Sequence, residues 1–203
     1  LDFNILGTIQ EEKTFRQKVF AWAIRKGADG IVAISQAEAD ALKVRFPHLA
    51  ENITFIHEAV DTNFFKQDEA IQEKNTVISV GNFARDFDTV IEATKDLGVE
   101  LIIATKLKVD PKYPHVKVVS LSHADMLRAY CEACIVVLSL KTKDRYYDSI
   151  GTLALGDALS MGKATIVTHT KSMESYIEDR KNGIFVPREN AEEMKKAVLD
   201  LLQ

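Results

Sequence analysis

The feature that most constrains this chain is an alternation of short apolar runs, rich in β-branched residues, with stretches whose apolar positions recur at helical spacing. Thr76 to Val80, Val99 to Ala104, Val116 to Val119, Ile135 to Leu138, Thr165 to Val167 and Ile184 to Val186 read as strands. Between them, Asp86 to Leu97, Ser122 or His123 to about Cys131, and Thr152 to Met161 read as helices, with a short helix from Met173 to Glu178 and a last one from Ala191 to Leu202. Runs without polar alternation suit strands buried on both faces. Linked by helices, they form right-handed βαβ units in a parallel sheet. The predicted fold is α/β, a Rossmann-like doubly wound parallel sheet with helices on both faces. Ligands in such sheets sit beyond the carboxyl ends of the strands, where strand order reverses. Chemistry is therefore expected in the loops after Val80, Ala104, Val119, Leu138 and Val167.

Ahead of that pattern, residues from about Glu11 to Lys26 place Phe15, Val19, Phe20, Ala23 and Ile24 at helical spacing, with Gly27 as a stop. Gly30 to Ile34 is a predicted strand. Ser35 and Glu38 form a predicted capping box that opens a helix to about Phe46, and Pro47 ends it. Ile53 to Ile56 is the next strand. Lys66 to Lys74 is polar and acidic, with neither period nor glycine, and reads as a linker. The division is residues 1–65 against residues 66–203. The chain begins at Leu1 without a methionine and stops at Gln203 inside a helical pattern, so it reads as a piece of something longer.

Composition excludes some functions. The formal net charge is -4, so no global basic field draws the chain onto nucleic acid. Local positive charge does gather at Lys141, Lys143 and Arg145. No apolar run approaches the roughly 20 residues that cross a bilayer. The two cysteines, Cys131 and Cys134, lie where a helix gives way to a strand, which suits packed thiols better than a redox pair and implies a reducing, cytoplasmic setting. No metal is expected, because no His, Cys or carboxylate spacing suggests a ligand set. Without a G-x-G-x-x-G loop, neither a nicotinamide nor a flavin cofactor gains support.

Two loops carry candidate chemistry. In the first, Gly81 ends a strand and Arg85 arrives at the start of a helix, where free N–H groups and the macrodipole favour anions; the alternative is an arginine paired with a surface carboxylate. In the second, Gly151 precedes a helix, where bare backbone admits a phosphate or sugar. Asp157 follows on that helix, placed to accept hydrogen bonds from a vicinal diol, and Gly162 fits the helix C-cap. A turn glycine, an exposed aspartate and a cap are the structural alternatives.

Asp157-Ala158-Leu159-Ser160-Met161-Gly162-Lys163-Ala164 resembles the second half of the signature of retaining GT-B glycosyltransferases of group 1 type. Aspartate stands for the second glutamate and alanine for a proline. Ser149 occupies the place of the first glutamate, and Ser149-Ile150-Gly151 resembles a Ser-Ser-Gly variant. Ala33-Ile34-Ser35, Ala59-Val60-Asp61 with Phe64-Phe65, Gly81 with Arg85 to Ala93, Tyr130 to Val137, Tyr176 to Glu178, and Asn182 to Pro187 resemble further family motifs in the family's order. The resemblance spans about residues 30 to 202.

The resemblance implies a donor-binding domain at residues 66–203, preceded by the tail of an N-terminal, acceptor-side domain at 1–65. The implied substrate is a UDP- or GDP-linked nucleotide sugar. The implied acceptor is a glycan, a lipid-linked molecule or a small molecule, in polysaccharide or glycoconjugate synthesis. Peripheral membrane association of the longer protein is a further expectation. By the same resemblance Gly81 and Arg85 hold the diphosphate, and the amides of Gly151 and Thr152 face the phosphate and sugar. Asp157 binds the ribose, and Ser120 and Leu121 contact the base. Ser149 removes a usual sugar contact, which leaves a degenerate sugar-nucleotide-binding or scaffold protein as the alternative. Lys106 and Lys141 are candidates for added charge. Among the histidines, His169 alone stands on the expected ligand edge. A GT-B epimerase lacks its acid and base residues here.

Overall fold

The computed structural model describes residues 14–141 and 149–203. The described residues fall into two compact units: residues 14–58, 149 and 170–176, and residues 59–141, 150–169 and 177–203.

In the first unit, helix α1 (Phe15–Gly27) is opened by Thr14, whose side chain accepts from the Gln17 amide while the Gln17 side chain accepts from the Thr14 amide. Strands β1 (Ile31–Ala33) and β2 (Ile53–Phe55) pair in parallel, Ile31 opposite Ile53. Helix α2 (Gln36–Arg45) and a 3-10 turn over Pro47–Asn52 make the crossover. The predicted capping box at its start is half formed. Ser35 Oγ accepts from the Glu38 amide, but the Glu38 carboxylate accepts from the Ile34 amide at 3.3 Å. Ala21, Ile31, Ala33, Ala39, Leu42, Phe46, Leu49 and Ile53 form the core. At 25 cal/mol per Å2 a buried side chain such as Leu42 or Phe46 contributes about 1.5–3 kcal/mol.

A distant segment completes this unit. The Tyr176 hydroxyl donates to the Ile34 carbonyl and accepts from the Glu58 amide. Ser172 and Ser35 share a hydrogen bond, and Ser175 Oγ accepts from the Gln36 amide. The predicted helix from Met173 to Glu178 is only a 3-10 turn over Met173–Ser175, because Tyr176 turns to these partners.

The second unit is a six-stranded, all-parallel sheet of β3 (Lys74–Val80), β4 (Glu100–Ala104), β5 (Val116–Val119), β6 (Ala133–Leu138), β7 (Ala164–Thr168) and β8 (Ile184–Val186). Its spatial order is β5-β4-β3-β6-β7-β8, the doubly wound arrangement with its reversal between β3 and β6. Helices α3 (Phe87–Thr94) and α6 (Ala191–Leu201) pack over Val77, Leu101, Ile135, Val137 and Ile166. Ile78, Val136 and Leu138, which alternate with these along their strands, are also fully buried. Burial on both faces is why these strands read as unbroken apolar runs. Helices α4 (His123–Glu132) and α5 (Thr152–Ser160) complete the set.

Several boundaries differ from the sequence reading, among them the start of β3, which begins at Lys74 inside the predicted linker rather than at Thr76. Helix α3 stops at Thr94, whose hydroxyl bonds back to the Val90 carbonyl, and Gly98 then adopts a left-handed conformation before β4. Strand β6 begins two residues early because Ala133 pairs with Lys74 ahead of a register shift. Both cysteines are free thiols; Cys131 is buried at the end of α4 and Cys134 donates to the Thr76 carbonyl.

Residues 59–73 lie with the second unit: Ser160 Oγ donates to the Phe65 carbonyl, and Gln67 reaches the Cys131 carbonyl. Lys163 is buried, and its ammonium donates to the Cys131 and Ala133 carbonyls at 3.1 and 2.9 Å and pairs with Glu73. It caps the C-terminus of α4, where a cation also complements the helix dipole.

Candidate functional site

The reversal between β3 and β6 places two loops side by side at the carboxyl edge of the sheet. The chain stitches them together through backbone. The Asp86 amide donates to the Ser139 carbonyl at 3.0 Å, the Lys141 amide to the Ala84 carbonyl at 2.9 Å, and Arg85 forms an antiparallel bridge with Leu140. The Leu140 amide donates to Thr168 Oγ1 at the end of β7. On the other side, the Gly81 amide donates to the Ala104 carbonyl, and Asn82 Oδ1 accepts from the Lys106 amide at 2.6 Å and from Thr105 Oγ1. The loops after β3, β4, β6 and β7 thus form one hydrogen-bonded rim.

Within that rim Arg85 turns inward. Its Nε donates to the Val80 carbonyl at 2.7 Å and Nη1 to the Phe83 carbonyl at 3.1 Å. Gly81 has φ +137, and a Cβ there would lie 2.6 Å from the Arg85 Cζ. Only glycine allows the guanidinium to fold over the strand end. The N-terminus of α3 is closed by the chain itself: the Asp86 carboxylate accepts from the Thr89 amide and hydroxyl. Arg85 is therefore held in the loop rather than reaching out to solvent or to a surface carboxylate.

Helix α5 is different. Gly151 stands at its N-cap with φ +101 and has no side chain of its own to serve as the cap. Thr152 is buried just inside it. Asp157, half-buried on the same helix, acts electrostatically on the Tyr130 phenol, which in turn acts on Arg85. Burial pushes the fully enclosed Tyr130 hydroxyl well above the usual phenol range; the Asp157 charge adds to this and Arg85 opposes it. Burial also brings the Arg85 guanidinium down to about 10, with the Tyr130 charge opposing, so Arg85 remains a cation at neutral pH. A buried cation, a phenol and a carboxylate share one electrostatic neighbourhood. Gly81 lies against Arg85, and Arg85 and Asp157 both act on Tyr130. Tyr130 joins them without having been singled out, although its place in the Tyr130 to Val137 motif was the signal that pointed to it.

The remaining candidates are more scattered. Leu121 is half-buried and Ser120 exposed after β5, whose last residue accepts from the Thr105 amide. Ser149 is half-buried and groups with the first unit. Lys106 is tied to the rim through its backbone. Lys141 sits 3.7 Å from Asp88, which also accepts from Lys112. These cations hold the Asp88 carboxyl below its ordinary range, with the Lys112 hydrogen bond the largest cause. His169 packs against Phe185, ring centroids 4.7 Å apart, and its amide donates to Val186. Lys143 and Arg145 lie outside the described residues. Among the described residues no group of His, Cys, Asp or Glu is placed to hold a metal ion.

The family model described as glycosyl transferases group 1 matches residues 74–203. Among solved structures, the chain is similar to HepE of Anabaena in complex with UDP, at 14% identity and a TM-score of 0.72, covering 95% of this chain and 59% of that one. It is similar to sucrose-phosphate synthase of Thermosynechococcus elongatus, at 14% identity and a TM-score of 0.67, covering 98% and 56%. The C-terminal domain of the group 1 glycosyl transferase LpcC from Francisella tularensis matches at 15% identity and a TM-score of 0.57, covering 71% and 88%. The chain thus spans little more than half the length of the first two. No protein of curated function matches it by sequence. A family model matched over the whole six-stranded sheet, on a doubly wound fold shared with GT-B enzymes, shows that this chain belongs to the group 1 glycosyl transferases.

Proposed function

We propose that the chain carries the donor-binding half of a retaining glycosyltransferase. It takes a UDP- or GDP-linked sugar for transfer to a glycan, lipid-linked or small-molecule acceptor. Residues 66–203 form the donor domain, and residues 1–65 are the tail of an acceptor-side domain that a longer protein completes in the cytoplasm. By itself the chain binds donor and transfers little.

The observation that carries this reading is the start of α5. A left-handed Gly151, a cap residue without a side chain of its own, stands before the first-turn amides of the helix that also bears Asp157. Such amides and the helix dipole suit a diphosphate. Neutralising it as it departs stabilises a transition state in which the sugar becomes oxocarbenium-like. Arg85 contributes a fixed positive charge from within the rim. Structures of HepE with UDP and with UDP-glucose support the choice of donor, and UDP is the first nucleotide to try.

Thermal unfolding with UDP, GDP and ADP tests the reading. One nucleotide should raise the midpoint saturably, as a ligand of the native state must. No shift with any of them at millimolar concentration would contradict it. Ser149, in place of an acidic residue, favours the second reading of a sugar-nucleotide-binding protein without turnover. That reading predicts the same binding, with no sugar released from any donor by the completed protein.

A further inference from the structure

Tyr130 is fully buried inside the second unit, and its hydroxyl has no hydrogen-bond partner among the described residues. A buried hydroxyl left unpaired costs stability, and a phenylalanine would fill the same space without that cost. The ring itself is firmly placed. Phe65 meets it edge-on, with ring centroids 6.3 Å apart and planes at 81°. Ser160 on α5 donates to the Phe65 carbonyl at 3.0 Å and to the Asp157 carbonyl at 2.8 Å, one proton shared between them. Phe65 thus ties Tyr130 to the turn of α5 that carries Asp157. The Asp157 charge acts on the phenol more strongly than the Arg85 charge does.

We propose that Tyr130 is a positioning residue of the nucleotide site, whose hydroxyl dipole holds the Asp157 carboxylate in the orientation that receives the nucleotide. The inference rests on the nucleotide reading of Asp157 given above. A phenol O–H turns about its C–O bond to suit its surroundings, and with no second acceptor competing for it the hydrogen follows the carboxylate. Enclosed among apolar groups, that dipole acts at low effective dielectric, where water does not average it away. The fold loses stability by carrying the hydroxyl, and the site gains a carboxylate oriented before the ligand arrives. Tyr130 is enclosed and touches no substrate; it acts only through Asp157.

The test combines calorimetric titration with UDP, GDP and ADP and thermal unfolding. Both are applied to the whole chain, to Tyr130→Phe, to Asp157→Asn and to the double variant. Tyr130→Phe removes only the hydroxyl, and Asp157→Asn keeps the shape while removing the charge. Tyr130→Phe should weaken binding of the preferred nucleotide about fivefold while its unfolding midpoint stays level or rises. In the Asp157→Asn background the same substitution should change affinity by less than about twofold, because the charge it acts on is gone. A merely structural tyrosine gives neither a binding loss at full stability nor one that depends on Asp157. Unchanged affinity in Tyr130→Phe overturns the proposal, and so do equal losses in both backgrounds. A lowered midpoint does so too, since the hydroxyl would then be a paired member of the core. In each of these cases the nucleotide site itself still stands. Failure of all three nucleotides to bind the unsubstituted chain would instead remove the site, and this inference with it.

Discussion

The Arg85 guanidinium lies across the α-carbon of Gly81, so closely that a Cβ there would stand 2.7 Å from Nη2. The strand end, the rim and the buried charge therefore depend on one missing methyl group.

Gly81→Ala should cost about 2–4 kcal/mol in denaturant unfolding, from the left-handed backbone and the displaced arginine together. Arg85→Ala made in the same background should remove part of that cost, because the clash then disappears. Strictly additive losses in the double-mutant cycle would show that the two residues do not meet.

Lys163 and Glu73 form an ion pair with unequal partners, their side chains 2% and 52% exposed. Lys163→Met leaves two carbonyls at the end of α4 without their donor and should cost about 2–3 kcal/mol. Glu73→Gln should cost under about 1 kcal/mol, as at a solvent-screened pair. Equal losses from both variants would make the ion pair, rather than the helix cap, the source of stability.

Glu38 is buried in the first unit, and desolvation raises its carboxyl above the ordinary value while the Ile34 amide opposes. A carboxyl raised in the folded state stabilises the fold below its unfolded pKa, and that stability is lost as pH rises through the folded pKa. Glu38→Gln mimics the protonated form and can still accept from Ile34. It should therefore raise the unfolding midpoint at pH 7, and the gain should vanish below about pH 4. A gain independent of pH would assign the effect to packing.

The order of elements was legible because the central strands β3, β6 and β7 are buried on both faces and each helix carries its own periodicity. What local pattern cannot carry is a contact between distant residues. Tyr176 stood out only as part of a motif, yet its hydroxyl ties Ile34 and Glu58 into the first unit. The position of Arg85 was legible but its direction was not, because the acceptors that turn it inward are backbone carbonyls. Lys163 read as part of a signature, and the buried carbonyls that hold it became visible only once α4 and β7 were side by side.

The central claim is a nucleotide site built on Gly151, Asp157 and Arg85, and calorimetric titration of the chain with UDP tests it most directly. The account predicts saturable binding that weakens at least about tenfold, or 1.4 kcal/mol, in both Asp157→Ala and Arg85→Ala, each with an intact unfolding transition. UDP binding that neither substitution disturbs would place the nucleotide elsewhere and contradict the account.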